Sequence, residues 1–222
     1  MDFFPLWNSL RIAAFSTVIV FFLGMVTAFY VSKLGRISKS IIDVFFTLPL
    51  VLPPTVVGYV LLVTVGARRP LGLFLEQIGL RFVMTWYGGV LAAVVVALPL
   101  MYRTARGAFE SFDESLAYAG KTLGLSNTYI FWRIRLPACK QGVLAGLVLA
   151  FARALGEFGA TIMLIGYTPG RTATISTTVY HLWRIGDDRG AFAWVLVNIG
   201  ISTAVLLAMN LFERRGGRAV RV

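Results

Sequence analysis

A chain of 222 residues that is 58% hydrophobic and 14% charged, with a mean hydropathy of +0.78, is too apolar for a soluble domain, where about 25% of residues carry charge. Its net charge of +11 would point to nucleic acid in a soluble protein. In a lipid-embedded chain, basic residues in short loops set topology instead, and nucleic acid drops out as a partner. The single Cys139 and single His181 leave neither a disulfide framework nor a cluster of soft metal ligands.

The pattern predicts an all-α polytopic membrane protein forming one transmembrane domain over residues 1–222, with five spans in the lipid bilayer. Residues 12–31 are 20 positions without a charge, about 30 Å as a helix and enough for one bilayer core. No secretory signal is expected before them, because residues 1–10 lack a basic segment and the apolar run is too long. Residues 44–65 form a second uncharged run of 22. It contains Pro49, Pro53 and Pro54, which imply a kinked or broken helix. The third run, residues 82–102, carries Pro99. The fourth, residues 142–165, is interrupted by Arg153 and Glu157. The fifth is residues 191–212.

Five spans put the termini on opposite sides. The side holding residues 33–39, 103–140 and the C-terminal Arg214, Arg215, Arg218 and Arg221 carries thirteen Lys and Arg, against seven on the other. The excess marks the cytoplasm, so the N-terminus is expected outside and the C-terminus inside a cytoplasmic (inner) membrane.

Residues 111–137 are the one long connection that reads as folded. Leu116, Ala119 or Gly120, and Leu123 recur at helical spacing. Ser111 with Glu114 reads as a capping box. Gly124 tolerates the positive φ of a helix end, Ser126 can cap a second short helix to about Arg135, and Pro137 is expected to stop it. The result is a helix–Gly–helix elbow suited to docking. Gly120-Lys121-Thr122 resembles the end of a phosphate loop, but position 115 is Ser where that motif needs Gly. No nucleotide site is therefore expected in the chain.

In the fourth run, Gly142, Gly146, Ala150 and Ala154 recur every four residues, as do Ala152, Gly156 and Ala160. Two such stripes predict close helix packing on more than one side. Arg153 and Glu157, four apart, share a face and can pair. Two readings stand: a pair facing a water-filled route or a moving helix, or a buried pair that fixes packing. Thr47, Thr55 and Thr161 are candidate pathway linings. His181 and Cys139 read as structural, Asp187-Asp188-Arg189 as a solvated turn, and no catalytic constellation is present.

Gly124, nine residues, Ile134, one residue, then Leu136-Pro137 resembles the EAA loop of ABC importer permeases, EAA-x3-G-x9-I-x-L-P. Where that pattern has Glu-Ala-Ala, this chain has Tyr118-Ala119-Gly120. The resemblance implies a coupling loop that fits a groove on a cytoplasmic ATPase, with docking that rests on shape and apolar contact because the glutamate is missing. Residues 151–160, 169–176 and 48–56 are similar to molybdate and sulfate permeases, the last two to the molybdate branch. By this resemblance the fold is that of a type I ABC importer permease. The partners are a second copy of the chain, two cytoplasmic ABC ATPase subunits that bind ATP and Mg, and a periplasmic or extracytoplasmic oxyanion-binding protein. This chain itself holds no cofactor and is not an enzyme. The expected function is ATP-driven import of molybdate, with tungstate or sulfate as alternatives. The rival class is an ATPase-independent secondary anion transporter or channel with Arg153 and Glu157 as an ion relay.

Overall fold

A computed structural model describes residues 2–217, with side chains through residue 208, and every regular element among them is helical. The C-terminal Arg214, Arg215, Arg218 and Arg221 lie outside those described side chains. Helix α1, Phe4–Ser32, is longer than the apolar run that marks it, because Pro5 falls in the first turn, where a missing N–H costs no helical bond. One side of it (Ile12, Ala13, Val20, Ala28) is buried. The other (Phe15, Val18, Phe22, Val26) is exposed and apolar, as a lipid-facing side is.

The second run is two helices, α2 (Arg36–Val51) and α3 (Pro54–Val65), bent by 110°. The cause is local. Leu52 precedes a proline and is pushed to extended backbone (ψ 142°), Pro53 follows at ψ 135°, and neither Pro53 nor Pro54 has an N–H to continue the ladder. A short α4, Pro70–Gln77, follows. Helix α5, Trp86–Glu110, runs two turns beyond the apolar stretch and therefore carries Arg103, Arg106 and Glu110 on a helix instead of in a loop. It is the centre of the bundle, packed on α1 through a close crossing: a Cβ on Gly24 would lie 2.6 Å from Met101 Cγ.

The elbow contains α6 (Glu114–Thr122) and α7 (Asn127–Ile130), then a π turn (Phe131–Arg135) that leads without a break into α8, Leu136–Leu155. Helix α8 seats its first small-residue stripe on α5, since Cβ atoms on Gly142 and Gly146 would meet Ala108 Cβ at 2.6 Å and Met101 Sδ at 3.0 Å. The second stripe does not form. Helix α8 ends at Leu155, Gly156 is exposed, and Ala160 belongs to a separate helix, α9 (Gly159–Ile165). The run 142–165 is thus a helix, a break and a short second helix. Helix α9 lies against α3 with almost no space between backbones. Cβ atoms on Gly58 and Gly159 would fall 2.7 Å from Ala160 Cα and 2.8 Å from Pro54 Cβ.

Helix α10 (Ile175–Arg184) opens with a capping box between Thr174 and Thr177 and is held to the start of α1. There Asn8 Nδ2 donates to the Ala173 carbonyl at 2.9 Å, and Ser9 Oγ accepts the Ile175 N–H at 2.9 Å. The last helix, α11, is Asp188–Gly217. Four helices among the described residues are long and apolar enough to cross a membrane, and the bent α2–α3 pair makes a fifth if counted as one span.

Candidate functional site

The elbow is built by local hydrogen bonds that differ in part from the predicted ones. Helix α5 runs on to Glu110, so Ser111 is its C-cap and Ser111 Oγ donates back to the Ala108 carbonyl at 3.0 Å. The N-cap of α6 is Asp113, which accepts the Ser115 N–H at 2.9 Å. Glu114, freed from the predicted capping box, turns to Arg135. Nη1 meets Oε1 at 2.7 Å and Nη2 meets Oε2 at 2.6 Å, a fork-to-fork pair across 21 residues of chain. These hydrogen bonds hold the Glu114 carboxyl below the usual carboxylate range.

The bend itself is a Schellman closure. Gly124 sits at φ +75°, its N–H donates to the Lys121 carbonyl at 2.9 Å, and the Leu125 N–H donates to the Gly120 carbonyl at 3.0 Å. Ser126 then caps α7 by accepting the Tyr129 N–H at 3.2 Å. Pro137 does not stop the helix. It stands in the first turn of α8, directly after the π turn, and the wider ladder there supplies the room that the proline ring and its missing N–H demand. Residues Asn127–Leu155 therefore form one continuous helical rod that starts in the elbow and is long and apolar enough to cross a membrane.

The inner side of the elbow is Ala117, Gly120 and Ile130; of the predicted stripe Leu116, Ala119 or Gly120, and Leu123, Gly120 alone is buried. Gly120 has a packing reason: a Cβ there would touch Ile130 Cγ1 at 3.2 Å and Ile134 Cδ1 at 3.3 Å. Leu116, Tyr118, Leu123, Tyr129 and Trp132 all face outward, Leu123 with 79% of its surface exposed. Apolar side chains are thus presented outward from both arms of the elbow on a fixed support. The support extends to α1, where the buried Arg135 guanidinium lies 4.5 Å from the Phe112 ring centre and Phe29 packs edge-on against Phe131 at 4.7 Å.

At the far end of the rod, Arg153 Nη1 meets Glu157 Oε2 at 2.6 Å. Glu157 is 4% exposed, and its Oε1 accepts the Ala160 N–H at 2.7 Å, capping α9 across the break. One carboxylate therefore joins the end of α8 to the start of α9. The candidate pathway threonines are dispersed. Thr47, half-buried in α2, donates to its own helix at the Asp43 carbonyl. Thr55 is exposed at the start of α3, and Thr161 is buried in α9.

One group was not anticipated from sequence. Asp43 of α2 accepts a hydrogen bond from Tyr102 and forms an ion pair with Arg106, both of α5, and Lys39 pairs with Glu110 at 2.8 Å. Together they fasten the start of the bent pair to the end of the central helix. The available signal was an acidic residue bordering an apolar run otherwise flanked by basic ones. Elsewhere Cys139 Sγ donates to the Ala108 carbonyl at 3.2 Å and His181 stacks on Tyr167 at 4.2 Å, both packing roles. Asp187 accepts the Gly190 N–H at 3.0 Å at the start of α11. Lys121 and Thr122 lie within α6, not in a phosphate-cradling loop.

Comparison with known proteins places this architecture. Residues 20–217 match the model of the binding-protein-dependent transport system inner membrane component. The molybdenum transport system permease protein ModB of Haemophilus influenzae is 44% identical over 209 residues, covering 93% of this chain and 91% of its own. ModB of Escherichia coli (strain K12) is 38% identical over 224 residues, covering 96% and 98%. Among solved structures, a bacterial ABC transporter involved in the import of the acidic polysaccharide alginate superposes with a TM-score of 0.77 at 19% identity, over 96% of this chain and 78% of that one. The fold is thus that of the membrane subunits of ABC importers, and the chain belongs to the family of binding-protein-dependent transport system inner membrane components.

Proposed function

We propose that this chain is the translocating permease of an ATP-driven molybdate importer. It works as two copies, with two cytoplasmic ABC ATPase subunits inside and an oxyanion-binding protein outside. The N-terminus lies outside and the elbow inside, as the Lys and Arg asymmetry argues. ATP and Mg belong to the ATPases and supply the energy. The observation that carries this reading is the elbow: an outward apolar surface on a support fixed by the Glu114–Arg135 fork and continuous with the rod Asn127–Leu155.

Tyr118, Ala119, Gly120, Gly124, Ile134, Leu136 and Pro137 then have distinct tasks. Tyr118 offers contact area to the ATPase, and Ala119 stays small within α6. Gly120 and Ile134 interlock the two arms, Gly124 makes the bend, and Leu136-Pro137 joins the arms to the rod. Closure of the ATPases displaces the elbow. The rod carries the displacement to Arg153 and Glu157, and Glu157 passes it to α9 and the facing α3. Thr47 and Thr55 line the route between copies at the bent α2–α3 pair, with Thr161 behind them. A hydrated dianion needs only weak polar contact there, and selection among molybdate, tungstate and sulfate rests with the binding protein.

The test is uptake in proteoliposomes containing the permease, ATPase and binding protein. Molybdate should accumulate only with ATP inside or at the ATPase face, and excess tungstate should compete better than sulfate. Accumulation that follows an ion gradient without ATP contradicts the proposal.

A further inference from the structure

An open groove of about 910 Å³ lies between the elbow end of α1 and the elbow; Tyr118 and Trp132 of the elbow border it, and the transport scheme assigns nothing to its α1 side. One wall is the lipid-facing side of α1, where Phe22, Val26 and Tyr30 are each about half exposed or more. The floor is cationic. Lys33, the C-cap of α1, holds Nζ 3.7 Å from the Phe29 ring centre, and Lys121 rises from the last turn of α6. Arg135 also lines the floor, and Glu114 is the one carboxylate among the described lining residues, already engaged by Arg135 on both oxygens. Three cations thus meet one carboxylate. Burial, and then the neighbouring Arg135 charge, pull the Lys33 ammonium below the ordinary lysine range.

We infer that this groove binds an anionic phospholipid from the bilayer, its headgroup phosphate between Lys33 and Lys121 and an acyl chain along Phe22 and Val26. A cationic floor beneath an apolar wall fits an amphiphile, and basic pockets beside membrane helices bind anionic headgroups. Depth excludes a water-soluble occupant for the upper part. Phe22 stands eleven residues above Lys33 along α1, roughly 16 Å at the helical rise, which is acyl-chain territory. A free anion would satisfy the floor and leave the wall uncovered. Because the two lysines come from α1 and from the elbow, the bound lipid ties the elbow to the bilayer surface.

The test is native mass spectrometry of the intact permease complex, exchanged through bilayers of phosphatidylcholine with increasing phosphatidylglycerol. Phosphatidylglycerol should be retained at one molecule per copy. Lys33→Gln and Lys121→Gln should each weaken retention about fivefold, and Lys33→Arg should preserve it. Undiminished retention in the Lys33→Gln/Lys121→Gln double variant overturns the inference. So does displacement by inorganic phosphate, which would identify a simple anion site. Tyr30→Cys provides a separate reading: a lipophilic maleimide should label it in the assembled complex, whereas complete protection by the second copy or the ATPase would show that protein fills the groove. Neither readout is uptake, so failure here is distinct from failure of the transport proposal.

Discussion

The rod Asn127–Leu155 has an arginine–glutamate pair at each end, and the two pairs are built as opposites. At the elbow the arginine is buried and the glutamate half-exposed, 8% against 51% of side-chain surface. Beyond Leu155 the glutamate is buried and the arginine partly exposed, 2% against 27%. The elbow pair joins segments 21 residues apart with a forked contact whose carboxylate still sees water. The far pair is local, i to i+4, and its buried carboxylate also caps the next helix. The contrast teaches that burial of the carboxylate decides how much each end depends on its ion pair. A water-exposed carboxylate can be resolvated when its partner is lost. A buried one, or the groups that it alone satisfies, cannot.

Glu157→Ala should therefore have the largest effect. It strands Arg153 and leaves the Ala160 N–H without its acceptor, a loss of about 3 kcal/mol by the behaviour of broken buried pairs. A clearly lowered melting temperature of the purified complex should accompany loss of uptake, and unchanged melting would remove the difference between the two ends. Next in size is the contact that the far end transmits to. Gly58→Val drives side-chain atoms into the Ala160 backbone, where even a Cβ would lie 2.7 Å from Cα. Overpacking of this kind costs about 1–3 kcal/mol. Thermal unfolding should shift down, and replacing Gly107, whose Cβ would meet nothing, should leave it in place.

The elbow pair should give the smallest effect. Glu114→Gln should cost about 1 kcal/mol, because the amide oxygen can still accept from the buried Arg135 guanidinium and the Phe112 ring still lies 4.5 Å from it. Its pH dependence has a defined sign. The folded-state pKa of Glu114 is lowered by Arg135, so its contribution is complete above the ordinary glutamate value of about 4.3 and is lost as pH falls through the lower folded value. The melting difference between wild type and Glu114→Gln should be constant from pH 8 to 5 and close only in more acidic buffer. A difference that closed near neutral pH would mean that the carboxyl is not held by Arg135.

Much of the elbow was legible in the sequence because its signals are local. Gly124 needs a positive φ and Ser126 needs an N–H three residues on, and both requirements act within one turn. The predicted Ser111 cap failed because helix α5 absorbed that residue, and Pro137 failed as a stop because a π turn made room for it. Both outcomes depend on the register of a helix that begins elsewhere. The Pro53-Pro54 bend was readable for the same local reason as Gly124, but its 110° angle was not. The break after Leu155 was hidden by composition: residues 142–165 are apolar enough for one span, and only Glu157 folding back on Ala160 shows two helices. Asp43 with Tyr102 and Arg106 joins residues about sixty apart, and no spacing rule reaches that far.

The central claim is that the elbow converts ATPase closure into movement of the permease, and Gly124 tests it most directly. The position is held at φ +75° with open space around it, so Gly124→Asn keeps the bend while Gly124→Trp strains it by about 1–2 kcal/mol and places bulk on the docking surface. The measurement is ATP-dependent molybdate uptake beside ATP hydrolysis in proteoliposomes with both partner proteins. Near-normal uptake is expected for Gly124→Asn, and for Gly124→Trp a loss of uptake without an equal loss of hydrolysis. Unchanged ATP-dependent uptake in Gly124→Trp would contradict the account.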